Sequence, residues 1–105
     1  MTLNTKIGIR KIELIQTSNF YFKVNSVEVY MKGANQIPMD YYPNRMMQLK
    51  ELEWMFHSAE IANFNIIRIW GGGMYMTDEF YELADRRGML IWQDVMVSCK
   101  FYPYS

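Results

Sequence analysis

The sequence predicts an α/β fold built on a parallel sheet, and three observations carry that expectation. From residue 27 onward, strand-like and helix-like patterns alternate over short connections. That order builds parallel strands joined by right-handed crossovers. The run Asn65-Ile66-Ile67-Arg68-Ile69-Trp70 is β-branched and aromatic and stops at Gly71-Gly72-Gly73, as a strand buried in a parallel sheet does. Polar or unusual residues follow each strand: Asn35 and Asp40, then Trp70 and the glycines, then Gln93 and Asp94. The carboxyl edge of such a sheet is where α/β folds place their sites.

Residues 7–15 alternate with period two. Ile7, Ile9, Lys11, Glu13 and Ile15 share one face, and Gly8, Arg10, Ile12 and Leu14 the other, which predicts a strand with mixed faces. The polar stretch Gln16 to Asn19 ends it. The pattern of the segment before residue 20 differs from the rest, which leaves a separate domain open for it. Phe20-Tyr21-Phe22-Lys23-Val24 and Val27-Glu28-Val29-Tyr30-Met31 read as strands joined by Asn25-Ser26. Asn tolerates the left-handed conformation that a two-residue hairpin needs.

Lys32 to Asn44, holding Gly33, Pro38 and Pro43, reads as a loop. Asn44 is the expected cap of a helix from about Arg45 to Ala62, whose apolar stripe is Leu49, Leu52, Phe56, Ala59 and Ala62. Asn63 is placed to stop it in a left-handed turn. A strand over 64–70 follows. Thr77 and Asp78 open a second helix, with Asp78 and Glu79 at its positive end and Arg86 and Arg87 at its negative end. Gly88 is its stop. Met89-Leu90-Ile91-Trp92 is the last strand.

Composition narrows the function. A chain of 105 residues accommodates one ordinary domain. Lysines and arginines balance aspartates and glutamates at 11 each, so nothing favours nucleic acid or a charged membrane surface as partner. No apolar stretch approaches the length of a bilayer span, and Met1 to Lys6 lack the apolar core of a secretory signal. Cys99 is the one cysteine and His57 the one histidine. That pairing excludes an internal disulfide and argues against a zinc site. The ten methionines read as adaptable gap-fillers. No metal or cofactor is expected.

Arg68 is the anomaly. A guanidinium stays charged inside a protein and is rarely buried without a carboxylate, so it marks either a site or a structural ion pair. Trp70 is open to two roles, core residue or stacking platform for an apolar sugar face. Asp94 either bonds a ligand hydroxyl or caps the next turn. Gly71-Gly72-Gly73 matches neither common phosphate-loop pattern, and reads as a flexible turn that also permits close approach of a ligand. His57 reads as a surface or packing residue, and Lys50-Glu51-Leu52-Glu53 as a solvated helix face.

Taken together, several segments resemble the family 2 glycoside hydrolases, specifically their β-mannosidases. They are Phe20-Tyr21-Phe22-Lys23-Val24-Asn25, Met31-Lys32-Gly33-Ala34-Asn35-x-Ile37-Pro38-x-Asp40, Arg68-Ile69-Trp70-Gly71-Gly72-Gly73, Phe80-Tyr81-Glu82-Leu83, Trp92-Gln93-Asp94-x-Met96 and Tyr102-Pro103. Galactosidases and glucuronidases of the family continue the arginine with x-x-His-Tyr-Pro. Here Trp-Gly-Gly-Gly follows Arg68 after one residue, Ile69, as in the mannosidases. Gln36 stands where the pattern has Trp, Met39 where it has Ala, Ser26 where it has Gly, and Lys100 where it has a small residue.

The resemblance implies a piece of a retaining exo-β-mannosidase that removes terminal β-linked mannose from glycans, N-glycan-derived oligosaccharides among them. It implies the fold as well. Residues 1–19 are then the end of an immunoglobulin-like β-sandwich domain and its linker. Residues 20–105 are an incomplete (β/α)8 TIM barrel, its first three strands and two helices, with the rest of the barrel as the missing structural partner. Both catalytic glutamates sit on later strands, the acid/base in an Asn-Glu pair that this chain does not contain. The isolated chain is therefore expected to be inactive, and its open sheet edges to favour association. Arg68, Trp70, Gln93, Asp94, Asn35 and Asp40 become substrate-binding residues of the pocket wall, with Arg68 beside a nucleophile carboxylate the chain does not carry. The family's animal members act in lysosomes. A non-catalytic carbohydrate-binding piece and a small nucleotide-binding α/β protein are the other two readings.

Overall fold

The structure, a computed structural model, describes residues 6–99. The chain forms two compact units, one up to Met31 and one from Lys32.

The first unit is a three-stranded antiparallel sheet of β1 (Ile12–Gln16), β2 (Phe20–Val24) and β3 (Val27–Val29) in that order. Asn25 and Ser26 both take positive φ, 50° and 69°, the combination a type I′ turn requires. The Asn25 side chain also accepts the Lys11 amide at 3.0 Å. The hairpin expected at Asn25-Ser26 is therefore present. Its consequence overturns another expectation, that residues 27–31 begin the parallel sheet. A two-residue turn returns the chain antiparallel beside the strand it left, whereas a parallel neighbour needs a crossover. The strand expected over 7–15 begins only at Ile12, and it pairs with β2, Leu14 opposite Phe22.

The second unit holds the parallel sheet: β4 (Gly33–Gln36), β5 (Ile66–Ile69) and β6 (Leu90–Gln93), with β5 central. Gly33 pairs with Ile66 and Asn35 with Arg68. Arg68 pairs with Trp92 and Ile69 with Gln93. The α/β class with a parallel sheet is as expected, but its first strand lies where a loop was read. Gly-Ala-Asn-Gln carries no β-branched or aromatic residue, so local pattern gave no strand signal. Contact with β5 selects it instead. A Cβ on Gly33 would stand 1.8 Å from the Ile66 carbonyl oxygen, so this strand approaches its neighbour only as glycine.

Between β4 and β5 the single helix expected over 45–62 is two, α1 (Pro43–Met46) and α2 (Leu49–Ile61). Gln48 is extended, with ψ 139°, and breaks the run. Tyr42, not Asn44, precedes the first turn, and Pro43 takes the opening position where its missing N–H costs nothing. Asn63 stops the segment with φ 57°, as its sequence implied. α3 (Asp78–Arg87) has the expected acidic first turn and basic last turn, and Gly88 closes it at φ 66°. The Glu79 carboxyl, bonded by its own backbone N–H in that first turn, is held below the usual range.

Both helices cover one face of the sheet. Leu52, Phe56 and Ala59 from α2 and Phe80, Leu83 and Ala84 from α3 bury with Ile67 and Ile69 of β5. The rings of Phe56 and Phe80 lie 5.0 Å apart. Met46, Met76 and Met89 fill the remainder, the role flexible thioethers suit. Leu49, at the stripe's amino end, stays exposed. By alternation, Asn35, Arg68 and Trp92 point to the opposite face. Among the described residues, no helix is long and apolar enough to cross a membrane.

Candidate functional site

In-register parallel strands set side chains of one row on one face. Asn35, Arg68 and Trp92 form such a row across β4, β5 and β6. Asp94, two residues beyond Trp92, returns to that face just past the strand end. Arg68 donates from Nε to Asp94 Oδ1 at 3.1 Å and from Nη2 to Oδ2 at 2.6 Å, while Nη1 donates to Asn35 Oδ1 at 3.1 Å. Its guanidinium lies 5.9 Å from the centre of the Trp92 ring. The Arg68 and Asp94 side chains are 36% and 16% exposed, so the pair is neither free in water nor sealed. This forked geometry is the strong form of a charge-assisted bond.

Arg68, Asp94 and Asn35 are thus brought together, as their positions at the strand ends implied. Arg68 thus has one acidic partner, Asp94, within the chain itself. Register alone places Asp94 within its reach, a relation that 26 residues of sequence separation conceal. The guanidinium has five N–H groups, and the bonds above use three of them.

The other candidates separate. Gln93 alternates to the helix-covered face, where Oε1 accepts the Tyr81 hydroxyl at 2.6 Å and Nε2 donates to the Asp94 carbonyl at 2.7 Å. Trp70 is half-buried. Its backbone N–H donates to the Gln36 carbonyl at 3.3 Å, and its indole lies over Gly72, where an added Cβ would come within 2.3 Å of the ring. Asp40 stands apart, paired with Arg45 through Nε at 2.7 Å and accepting the Tyr42 N–H at 2.9 Å. Among the described residues, no hydrogen bond joins it to Arg68 or Asp94. A cavity of about 480 Å³ lies beside it, lined in part by Gln48, Glu51 and Trp54. A second, of about 260 Å³, runs from Asn35 and Gln36 to Met55 and Phe64. Lys100, Tyr102 and Pro103 lie outside the described residues.

The Tyr42 amide, then the Arg45 guanidinium, hold the Asp40 carboxyl below its ordinary value. A carboxyl lowered on folding adds stability above its unfolded value of 3.8, and that contribution disappears as pH falls through the folded value. Asp40→Asn is therefore expected to melt slightly below the parent chain at neutral pH. The two melting curves should converge at acid pH, once the folded-state carboxyl is protonated as well.

Sequence reasoning passed over Tyr81 and Trp92. Trp92 looked like one more apolar strand residue, and only its register opposite Arg68 distinguishes it. Tyr81 lies in a matched segment, Phe80 to Leu83, to which no role was given.

Each glycine after Trp70 is close-packed rather than loose. A Cβ on Gly71 would meet the Val95 carbonyl oxygen at 2.6 Å and Ser98 Oγ at 2.9 Å. The turn also precedes α3 by several residues, and that helix opens on Asp78 and Glu79, charges that repel phosphate. The arrangement does not favour nucleotide binding. Gly72→Ala is expected to push the Trp70 ring aside, at a cost of about 1–3 kcal/mol. Thermal melts and a shifted indole resonance would register it. Among the described residues, no group of His, Cys, Asp and Glu is placed to hold a metal ion.

No protein-family model matches the chain. Over 95% of its length it is 40% identical to a β-mannosidase of Bos taurus, of which it spans 12%. A β-D-mannosidase structure from Dictyoglomus thermophilum superposes with a TM-score of 0.85 at 43% identity, covering 93% of this chain and 13% of that one. A β-glucuronidase from Ruminococcus gnavus gives 0.61 at 25% identity, over 87% of this chain and 15% of that one. The chain therefore spans about an eighth of the mannosidases it matches.

Proposed function

We infer that this chain is a segment of a β-mannosidase of the family 2 glycoside hydrolases, the segment in which the catalytic barrel begins. One observation carries the reading: likeness to the Dictyoglomus thermophilum β-D-mannosidase holds in sequence and in shape together, at 43% identity and a TM-score of 0.85. The fall to 25% and 0.61 against a β-glucuronidase favours mannose over a uronic acid.

On this reading β4, β5 and β6 are the first strands of a (β/α)8 barrel. The residues before 20 close an immunoglobulin-like sandwich domain, and the hairpin leads from one to the other. Arg68, Asn35 and Trp92 face the barrel interior, and the loops after each strand line the sugar pocket. Retaining hydrolysis needs an acid/base and a nucleophile carboxyl about 5–5.5 Å apart. Both belong to later strands, so this segment supplies wall and not chemistry. The N–H groups that Arg68 leaves unused by Asp94 and Asn35 are the ones free to meet the nucleophile, whose ionised form they favour. Trp70 offers its ring to the terminal mannose of a glycan, and Asp40 shapes the rim through Arg45. The lysosome is the setting that animal members of the family imply.

Two measurements test this. The isolated chain is expected to release no p-nitrophenol from the β-mannoside above the blank rate, and measurable turnover would contradict its assignment as wall alone. A chimera with this chain in place of the matching segment of the Dictyoglomus enzyme is expected to hydrolyse the β-mannoside and spare the β-glucuronide. A folded chimera without mannosidase activity would overturn the assignment.

A further inference from the structure

The loop after β5 and the loop after β6 are tied together by one side chain. Asp94 Oδ2 accepts both Arg68 Nη2 at 2.6 Å and the Gly71 amide at 3.1 Å, while Oδ1 takes Arg68 Nε. The backbone repeats the link on either side. Asp94 N–H donates to the Ile69 carbonyl at 3.2 Å, and Ser98 N–H to the Gly71 carbonyl at 3.2 Å. Gly71 is buried, and the space a side chain would take there is filled by the Val95 carbonyl and Ser98 Oγ. Trp70 sits between the residue that Asp94 grips through its guanidinium side and the one it grips by the amide.

We propose that Asp94 is a positioning residue, whose single carboxylate sets the Arg68 guanidinium and the Gly71 turn at once and thereby fixes where the Trp70 ring is presented. Only an ionised carboxylate has enough acceptor capacity for three donors arriving from two directions. An amide at this position offers one oxygen and turns two N–H groups toward a guanidinium that is itself all donor. The sugar-facing role of Trp70 rests on the mannosidase reading. The mechanical role of Asp94 does not.

Amide exchange on the 15N-labelled chain tests it without any sugar. In the parent chain the Gly71 amide is expected to exchange at least tenfold more slowly than that of Gly72, whose N–H has no such acceptor. The Arg68 Nε–H signal should be resolved. Asp94→Asn should erase the tenfold difference, broaden the Arg68 signal and move the Trp70 indole resonance. Arg68→Lys, which keeps the carboxylate, should leave Gly71 slow. Equal exchange at Gly71 and Gly72 in the parent chain, or an Asp94→Asn spectrum with all three signals in place, overturns the proposal. Where Asp94→Asn does not fold, Arg68→Lys decides. Retained slow exchange at Gly71 supports the carboxylate as the anchor, and its loss assigns the turn to the arginine. None of these signals depends on mannosidase activity, so failure of the chimera and failure of this proposal are separate results.

Discussion

Gly33→Ala should detach β4 from the parallel sheet. The added methyl would sit 1.8 Å from the Ile66 carbonyl oxygen and 2.8 Å from its carbon. Both are backbone atoms of the central strand and cannot step aside as a side-chain tip can. Strands 4.7–4.9 Å apart have no slack for such an intrusion. Either the register Gly33↔Ile66, Asn35↔Arg68 is lost, or β5 is displaced from its packing under the helices. The expected cost lies at the top of the range for overpacking, about 3 kcal/mol, read from urea denaturation. Faster exchange at the Trp70 amide, which donates to Gln36 of β4, would locate the damage. Gly8→Ala is the control, since nothing stands within 4 Å of that position. Equal denaturation midpoints for the two variants would show that β4 does not need its glycine.

Arg68→Met in the active chimera should lower kcat/KM by about a hundredfold or more, the scale on which removing one preorganised donor from an active site acts. Two effects combine. On the proposed mannosidase reading the charge beside the nucleophile is lost, and Asp94, only 16% exposed, is left without its fork partner. A half-buried carboxylate stripped of its counter-ion is the costly side of breaking such a pair. Arg68→Lys separates the effects by restoring a charge without the planar fork, and should recover part of the activity. Unchanged kcat/KM in the methionine variant would remove Arg68 from the pocket wall.

Some elements were legible because local rules and global packing agree there. Asn25, Asn63 and Gly88 each sit where the chain needs positive φ, and asparagine and glycine reach it at the least cost. α2 buries the middle of the stripe its periodicity announces, Leu52, Phe56 and Ala59, while Leu49 and Ala62 at its ends stay exposed. Strand β4 was not legible. Its residues are glycine, alanine and two amides, chosen for close approach and for the bond that Asn35 accepts from Arg68, and such choices leave no periodic trace. The helix break at Gln48 was equally silent, because glutamine is a good helix former and only the fold requires it to be extended.

The candidate site divides along the same line. Arg68 and Asp94 stood out as charges at the ends of apolar strands. That they are partners depends on a register that local sequence does not encode. Gln93 and Asp94 looked like a matched couple, yet adjacent strand residues face opposite ways, and Gln93 serves Tyr81 instead.

By itself, the sequence determined the α/β class, the positive-φ turns, the buried middle of the α2 face and the likeness to β-mannosidases, since these depend on residue type and spacing along the chain. The tertiary structure decided which strand opens the parallel sheet, which carboxylate answers Arg68 and why three glycines follow Trp70. Those are distances between segments far apart in the chain, and they exist only once the backbones have come together.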